Sequence, residues 1–144
     1  MCSSDLSVST PGGITDIAYS NGNFIAIRDA IPGQGSFKNI LVSANGVTWT
    51  AKDIGLAGHR MVSIASNGSV ALLSTTNLNT YYSNIFKSND GGLTWSKFYY
   101  INGASSATTT NVIYKDGLWV IDRFASTDLV SWFGLPAAPN AFHV

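Results

Sequence analysis

The chain of 144 residues contains no Glu: its eight acidic residues are all Asp, set against eight Lys and Arg. Only 11% of residues are charged, less than half of the roughly 25% of an ordinary soluble protein. There is no basic patch to meet nucleic acid and no charge run to hold a tail unfolded. The single cysteine, Cys2, excludes a disulfide framework. No apolar run approaches the ~18 residues of a membrane-spanning helix. Helix formers are scarce too, whereas Ser, Thr, Asn and Gly fill the polar positions and 12% of residues are aromatic. Such a composition favours strands and turns. It predicts an all-β chain, long enough for one core. Weak charge with many small polar residues also matches extracellular, cell-surface or virion proteins.

What the chain does have is a repeated turn motif. Ser88-Asn89-Asp90-Gly91-Gly92-Leu93-Thr94-Trp95 fits S-x-D-x-G-x-T-W at every fixed position. Ser43-Ala44-Asn45-Gly46-Val47-Thr48-Trp49 is a copy one residue shorter, with Asn45 for Asp. Ser126-Thr127-Asp128-Leu129-Val130-Ser131-Trp132 keeps Asp128 and Trp132 but loses the glycine and has Ser131 for Thr. A short carboxylate or amide accepts hydrogen bonds from backbone N–H groups just ahead of it and closes a tight turn. Gly92 and Gly46 supply φ > 0 or close backbone approach. Ser88 and Thr94 tie the arms together, and Trp95 brings apolar surface to a shared core at the start of the next strand.

Each motif ends a similar unit. In the first, strands are predicted over 14–19, 24–27, 39–42 and from Trp49, with an Asn21-Gly22 hairpin turn between the first two. In the second they fall at 61–65, 70–73, 84–87 and 95–100, with Asn67-Gly68 as the turn and 74–83 as a polar loop. In the third they fall at 111–114, 118–121, 123–125 and from Trp132, with a type I′ turn at Asp116-Gly117. Asn21 to Asn67 and Trp49 to Trp95 are both 46 residues apart, and the third unit lacks the long middle loop. A period in the forties with four short strands per unit predicts β-propeller blades. The blades are placed at 13–53, 60–100 and 110–135 within a region 13–136, with a lead-in at 1–12 and a tail at 137–144. The opening Met1 to Leu6 is similar to the translated end of a sequencing adapter, as at the edge of a metagenomic contig, and is set outside the fold.

The central motif resembles the Asp-box, or BNR, repeat of sialidase-like β-propellers, and the flanking copies resemble weaker versions of it. The hairpin 17–27 likewise resembles repeats of bacterial and phage-tail propellers. The resemblance covers roughly residues 13 to 134. It implies that Ser43, Asn45, Gly46, Thr48, Trp49, Ser88, Asp90, Gly92, Thr94, Trp95, Ser126, Asp128 and Trp132 are structural, on turns away from any catalytic centre. Closed propellers have roughly 4–8 blades, so three imply a partial ring, completed by the remaining blades of a longer chain or by a second copy.

The resemblance also implies how an enzyme of this fold would work: an arginine cluster on a substrate carboxylate, a Tyr activated by Glu, and an Asp acid/base. With no Glu, that nucleophile cannot be assembled, and no catalytic residue is assigned. Arg28 and Arg123 each lie six residues past the hairpin glycine of their unit. Two readings stand: a shared anion or glycan contact, or solvated loop arginines and partners of Asp29 and Asp122, the plainer being preferred. Tyr81 and Tyr82 could stack on sugars, although strand Tyr more often packs. His59 and His143 are isolated, and Asn89-Asp90-Gly91-Gly92 lacks the distal Glu of a calcium loop. No metal or cofactor is expected, and P-loop, G-x-G-x-x-G and G-x-S-x-G patterns are absent.

The sequence therefore predicts a non-catalytic recognition or scaffold module of a secreted, cell-surface or phage-tail protein, facing glycan or protein. The alternative is a fragment of a sialidase-like glycoside hydrolase with catalytic residues partly outside this segment. A photosystem-stability type of assembly factor, which shares such repeats, is a third reading.

Overall fold

A computed structural model describes residues 14–28, 39–55, 58–80, 82–98, 111–122 and 124–134. Every regular element among them is a strand. The strands are β1 (Ile14–Ser20), β2 (Asn23–Arg28), β3 (Ile40–Ser43), β4 (Thr50–Lys52), β5 (His59–Ser66), β6 (Ala71–Asn77), β7 (Ser83–Ser88), β8 (Ser96–Phe98), β9 (Val112–Lys115), β10 (Leu118–Ile121), β11 (Phe124–Ser126) and β12 (Phe133–Gly134). They form three four-stranded antiparallel sheets, each in simple up-and-down order: β1 to β4, β5 to β8 and β9 to β12. These are blades of a partial β-propeller.

Turn chemistry sets the registers. Asn21 and Gly22 have φ of 51° and 82°, and Asp116 and Gly117 have 54° and 81°. Positive φ at both central residues is the type I′ geometry whose twist matches the flanking strands. The second blade departs from this. Ser66 pairs with Ala71, leaving four residues in the loop. There the Asn67 side chain accepts the N–H groups of Ser69 and Val70 at 2.9 and 2.8 Å, so the asparagine caps its own loop.

One expectation is corrected. The polar stretch Ser74–Asn77 is not loop; it continues β6, with Thr75 opposite Met61 and Thr76 opposite Ser83. Ser74 and Thr75 are fully buried. Ladder pairing satisfies the backbone, and small β-branched or hydroxyl side chains fit between sheets.

The core lies between blades. Ile25, Ile27, Ile40 and Val42 of the first sheet meet Met61, Ile64, Ala71 and Leu73 of the second, with Phe86 and Trp95 at the margin. Leu72 and Ile85, on the opposite face of the second sheet, meet Val112, Trp119 and Ile121 of the third, with Phe98 and Trp132 alongside. Period-2 alternation places each strand's residues on both seams, so the middle blade is apolar on both faces. Burying Trp119 alone contributes on the order of 4–5 kcal/mol by area.

Candidate functional site

The three turn motifs are built alike. In the second, Asp90 Oδ1 accepts the N–H of Leu93 at 3.1 Å and of Thr94 at 2.9 Å. The Ser88 hydroxyl donates to Asp90 Oδ1 at 2.8 Å and accepts the Gly92 N–H at 2.9 Å. The Thr94 hydroxyl donates to Asp90 Oδ2, and the Trp95 indole N–H donates to the Gly92 carbonyl at 2.9 Å. Asn45 repeats this with an amide, accepting from Val47 and Thr48 at 2.8 and 2.9 Å, while Trp49 donates to Gly46. Asp128 accepts from Val130 and Ser131, both at 2.9 Å. Where the third copy lost its glycine, Leu129 adopts φ 64° and its N–H reaches the Ser126 hydroxyl at 2.8 Å.

Electrostatics follow from those bonds. Partial burial raises the Asp90 carboxyl, but the Thr94 hydroxyl and N–H, the Ser88 hydroxyl and the Leu93 N–H outweigh it and hold the group below its ordinary value. The Ser131 and Val130 N–H groups hold Asp128 low in the same way. Depressed carboxylates committed to four donors are turn clamps, with little capacity left for proton transfer.

Sequence reasoning missed how these turns join the blades. The Asn21 side-chain amide donates to the carbonyls of Ser69 at 2.8 Å and Asn89 at 2.6 Å, while its backbone N–H reaches the Gly68 carbonyl at 2.8 Å. The Asn23 amide donates to the Gly91 carbonyl at 3.1 Å. The first blade's hairpin is therefore latched onto the second blade's hairpin and turn motif. Asn-Gly reads locally as a turn, and nothing in the string indicates that its amide points across a seam.

Beside this latch is a cleft of about 440 Å³, lined by Asn23, Val42, Ser43, Ala44, Asn45, Thr48, Thr50, Lys52 and Leu93. Its walls are the outer strands of the first blade and the turn motif of the second. Amide, hydroxyl and ammonium groups line it together with the apolar side chains of Val42 and Leu93. Such a mixture of hydrogen-bonding groups and apolar carbon suits a polyhydroxylated ligand or a peptide segment.

The opposite ends of the blades carry the other candidates. Arg28 ends β2 and is only 6% exposed. Its guanidinium is desolvated enough to lower its pKa from the ordinary value, so the picture of a solvated loop arginine does not hold for it. Asn39, directly across from it, is 3% exposed, and neither side-chain amide atom has a hydrogen-bond partner among the described residues. Tyr82 is exposed, with its N–H on the Thr80 hydroxyl at 3.3 Å. Tyr81 and Arg123 lie outside the described residues, so no shared contact with Tyr82 or Arg28 follows. His59 Nδ1 is 2.8 Å from the Thr75 hydroxyl, and its ring meets the edge of Phe86. Burial, together with Lys97, lowers its pKa from the ordinary value. Among the described residues no three His, Cys, Asp or Glu side chains gather where they could hold a metal.

Asp16 is the carboxylate on the innermost strand of the first blade. Its Oδ1 accepts the Ile17 N–H at 2.9 Å and its Oδ2 accepts the Ile64 N–H of the second blade at 3.1 Å. Both oxygens serve the backbone.

No known protein family matches the chain, and no curated protein does. Solved structures do. A β-fructofuranosidase from Schwanniomyces occidentalis complexed with fructosyl-erythritol superposes with a TM-score of 0.51 at 14% identity, covering 85% of this chain and 33% of that one. The E230A variant of the fructofuranosidase from that organism, complexed with fructosylnystose, gives the same values. A GH32 β-fructofuranosidase of Bombyx mori matches at 0.48, also at 14% identity, over 85% of this chain and 35% of that one. The chain spans about a third of the length of these structures. At such identity the likeness shows the fold alone: these residues form blades of a β-propeller.

Proposed function

We propose that the chain is part of an Asp-box (BNR) type propeller and acts as a non-catalytic recognition or scaffold module, on a secreted, cell-surface or phage-tail protein, with glycan or protein as its ligand. The cleft between the first blade and the second turn motif carries this reading. It presents Thr48, Thr50 and Lys52 beside the apolar side chains of Val42 and Leu93. Asp90, in the turn motif that borders it, is by contrast held by its own turn, and Asp16, on β1, holds two backbone N–H groups. The chain has no Glu to replace them.

A glycan array probed with the purified chain, followed by calorimetry on any hit, tests the glycan form. Binding that falls roughly tenfold or more in Lys52→Ala or Thr50→Val, each removing one polar contact, supports the cleft. An array with no hit removes the glycan form. A second reading is a glycoside hydrolase fragment. The fold likeness to β-fructofuranosidases is compatible with it, and those proteins are complexed with fructosyl ligands. Turnover of a fluorogenic sialoside or of a fructosyl oligosaccharide by this chain would displace the recognition reading.

A further inference from the structure

The outer ends of the two seams are built differently. In the second blade Phe98 of β8 pairs with Ile85 of β7, and Ser96 pairs with Lys87. Phe98 packs on the second seam's cluster beside Trp132, their ring centroids 6.3 Å apart, and the Lys87 ammonium lies 5.7 Å from the Phe98 centroid. In the first blade the same two ladder positions are Lys52, paired with Ile40, and Thr50, paired with Val42. Paired residues share a face of the sheet, and Ile40 and Val42 face the second blade. Where Phe98 fills the second seam, Lys52 and Thr50 line the cleft of about 440 Å³.

The turn motif beside the cleft departs in a matching way. In the second motif the Thr94 hydroxyl donates to Asp90 Oδ2. The first motif has Asn45, whose Oδ1 accepts the N–H groups of Val47 and Thr48 as Asp90 Oδ1 accepts those of Leu93 and Thr94. The other atom of Asn45 is an amide nitrogen, which cannot accept from a hydroxyl. The Thr48 hydroxyl accordingly has no partner among the described residues, and neither has the Thr50 hydroxyl or the Lys52 ammonium. Asn in place of Asp also leaves the motif uncharged, and Lys52 is the one charged residue in the lining. The neighbouring carboxylate, Asp53, is not part of that lining and accepts the Gly55 N–H at 2.9 Å.

Resting on the reading of this cleft as a recognition site, we propose that its ligand is an acidic saccharide. The Lys52 ammonium meets a carboxylate or sulfate ester, and the Thr48 and Thr50 hydroxyls meet ring hydroxyls. An ammonium is a point charge that serves either anion. Hydroxyls both donate and accept, as those of a sugar do, and Val42 and Leu93 offer carbon to the C–H face of a ring. The lining holds no arginine, so this is a different site from the arginine cluster that the sialidase-like resemblance implies.

Calorimetry on the 144-residue chain at low salt, where charge contacts are least screened, tests the proposal. The probes are tetragalacturonate and a κ-carrageenan tetrasaccharide, each against its neutral counterpart, the methyl ester and the desulfated sugar. At least one acidic form is expected to bind, with its neutral counterpart roughly tenfold or more weaker. Lys52→Met lowers the affinity for the acidic form by a similar factor. Asn45→Asp does the same by charging the turn and engaging Thr48, while its unfolding midpoint holds or rises, because the second motif already folds around Asp90. Lys87→Met, at the second seam, leaves binding unchanged. Equal binding of acidic and neutral forms, no binding of either acidic form, or an N45D variant that binds like the wild type overturns the inference. So does tighter binding of tetraglutamate, which would assign the cleft to an acidic peptide. A neutral saccharide bound as tightly as its acidic form, and lost in Thr50→Val, overturns this inference and leaves the recognition reading standing.

Discussion

Replacing Gly92 by Ala separates backbone strain from steric conflict, because the same motif position occurs in all three blades with different surroundings. Gly92 has φ 86°, and an Ala held there costs about 1 kcal/mol in the left-handed region. Its Cβ would also lie 2.9 Å from Ile25 Cδ1 and 3.0 Å from Ile25 Cγ1. Ile25 is fully buried in the first seam and has nowhere to go, so overpacking adds about 2 kcal/mol. Gly46, at φ 77°, meets nothing nearer than a Phe24 ring carbon at 3.6 Å, so Gly46→Ala carries the strain alone. The third blade supplies a natural control, since Leu129 occupies this position at φ 64° with its side chain against the Trp119 cluster. The expected losses are about 3 kcal/mol for G92A and about 1 kcal/mol for G46A, or roughly 9 °C and 3 °C in Tm for a chain of this size. Urea unfolding followed by tryptophan fluorescence measures both. Losses within about 0.5 kcal/mol of each other would refute the argument that the first blade's Ile25 fixes the second blade's glycine.

Asn21→Asp keeps the residue's tolerance for positive φ but turns a donor into an acceptor facing the carbonyls of Ser69 and Asn89; it is expected to cost about 2 kcal/mol, and an unchanged unfolding midpoint would show that the latch is idle. Ser63→Ala strands the buried Val112 N–H, at about 2 kcal/mol, and amide exchange should speed up first at Val112 and along β9. The carboxyls of Asp90 and Asp128 are lower in the folded than in the unfolded chain. Their contribution is therefore present above the unfolded value of about 4 and is lost as pH falls through the folded values. Stability should decline on acidification below about pH 4, and the double variant D90N/D128N should flatten that decline while folding normally at neutral pH, as Asn45 does in the first motif. An acid limb identical in the double variant would place the titration elsewhere.

The local string determined much of this protein. Asn21-Gly22 and Asp116-Gly117 specify type I′ turns because both residues tolerate positive φ. Ser88, Asp90, Gly92, Thr94 and Trp95 specify a turn closed by bonds among themselves. With alternation between them, these turns suffice to predict four antiparallel strands per unit and three units. The extent of β6 was not legible, because Ser74–Asn77 reads as polar loop and becomes strand only when β5 and β7 pair with it on both sides. Tertiary structure alone decided that the Asn21 amide reaches the next blade, that Asp16 and Ser63 close successive seams, that Arg28 is buried, and that Lys52 and Leu93, 41 positions apart, share a cleft. Turn geometry depends on residues within about four positions of one another. A seam depends on the angle at which whole sheets meet, and that angle is set by how the summed volumes of Ile25, Ile40, Leu73 and their neighbours fill the space between blades.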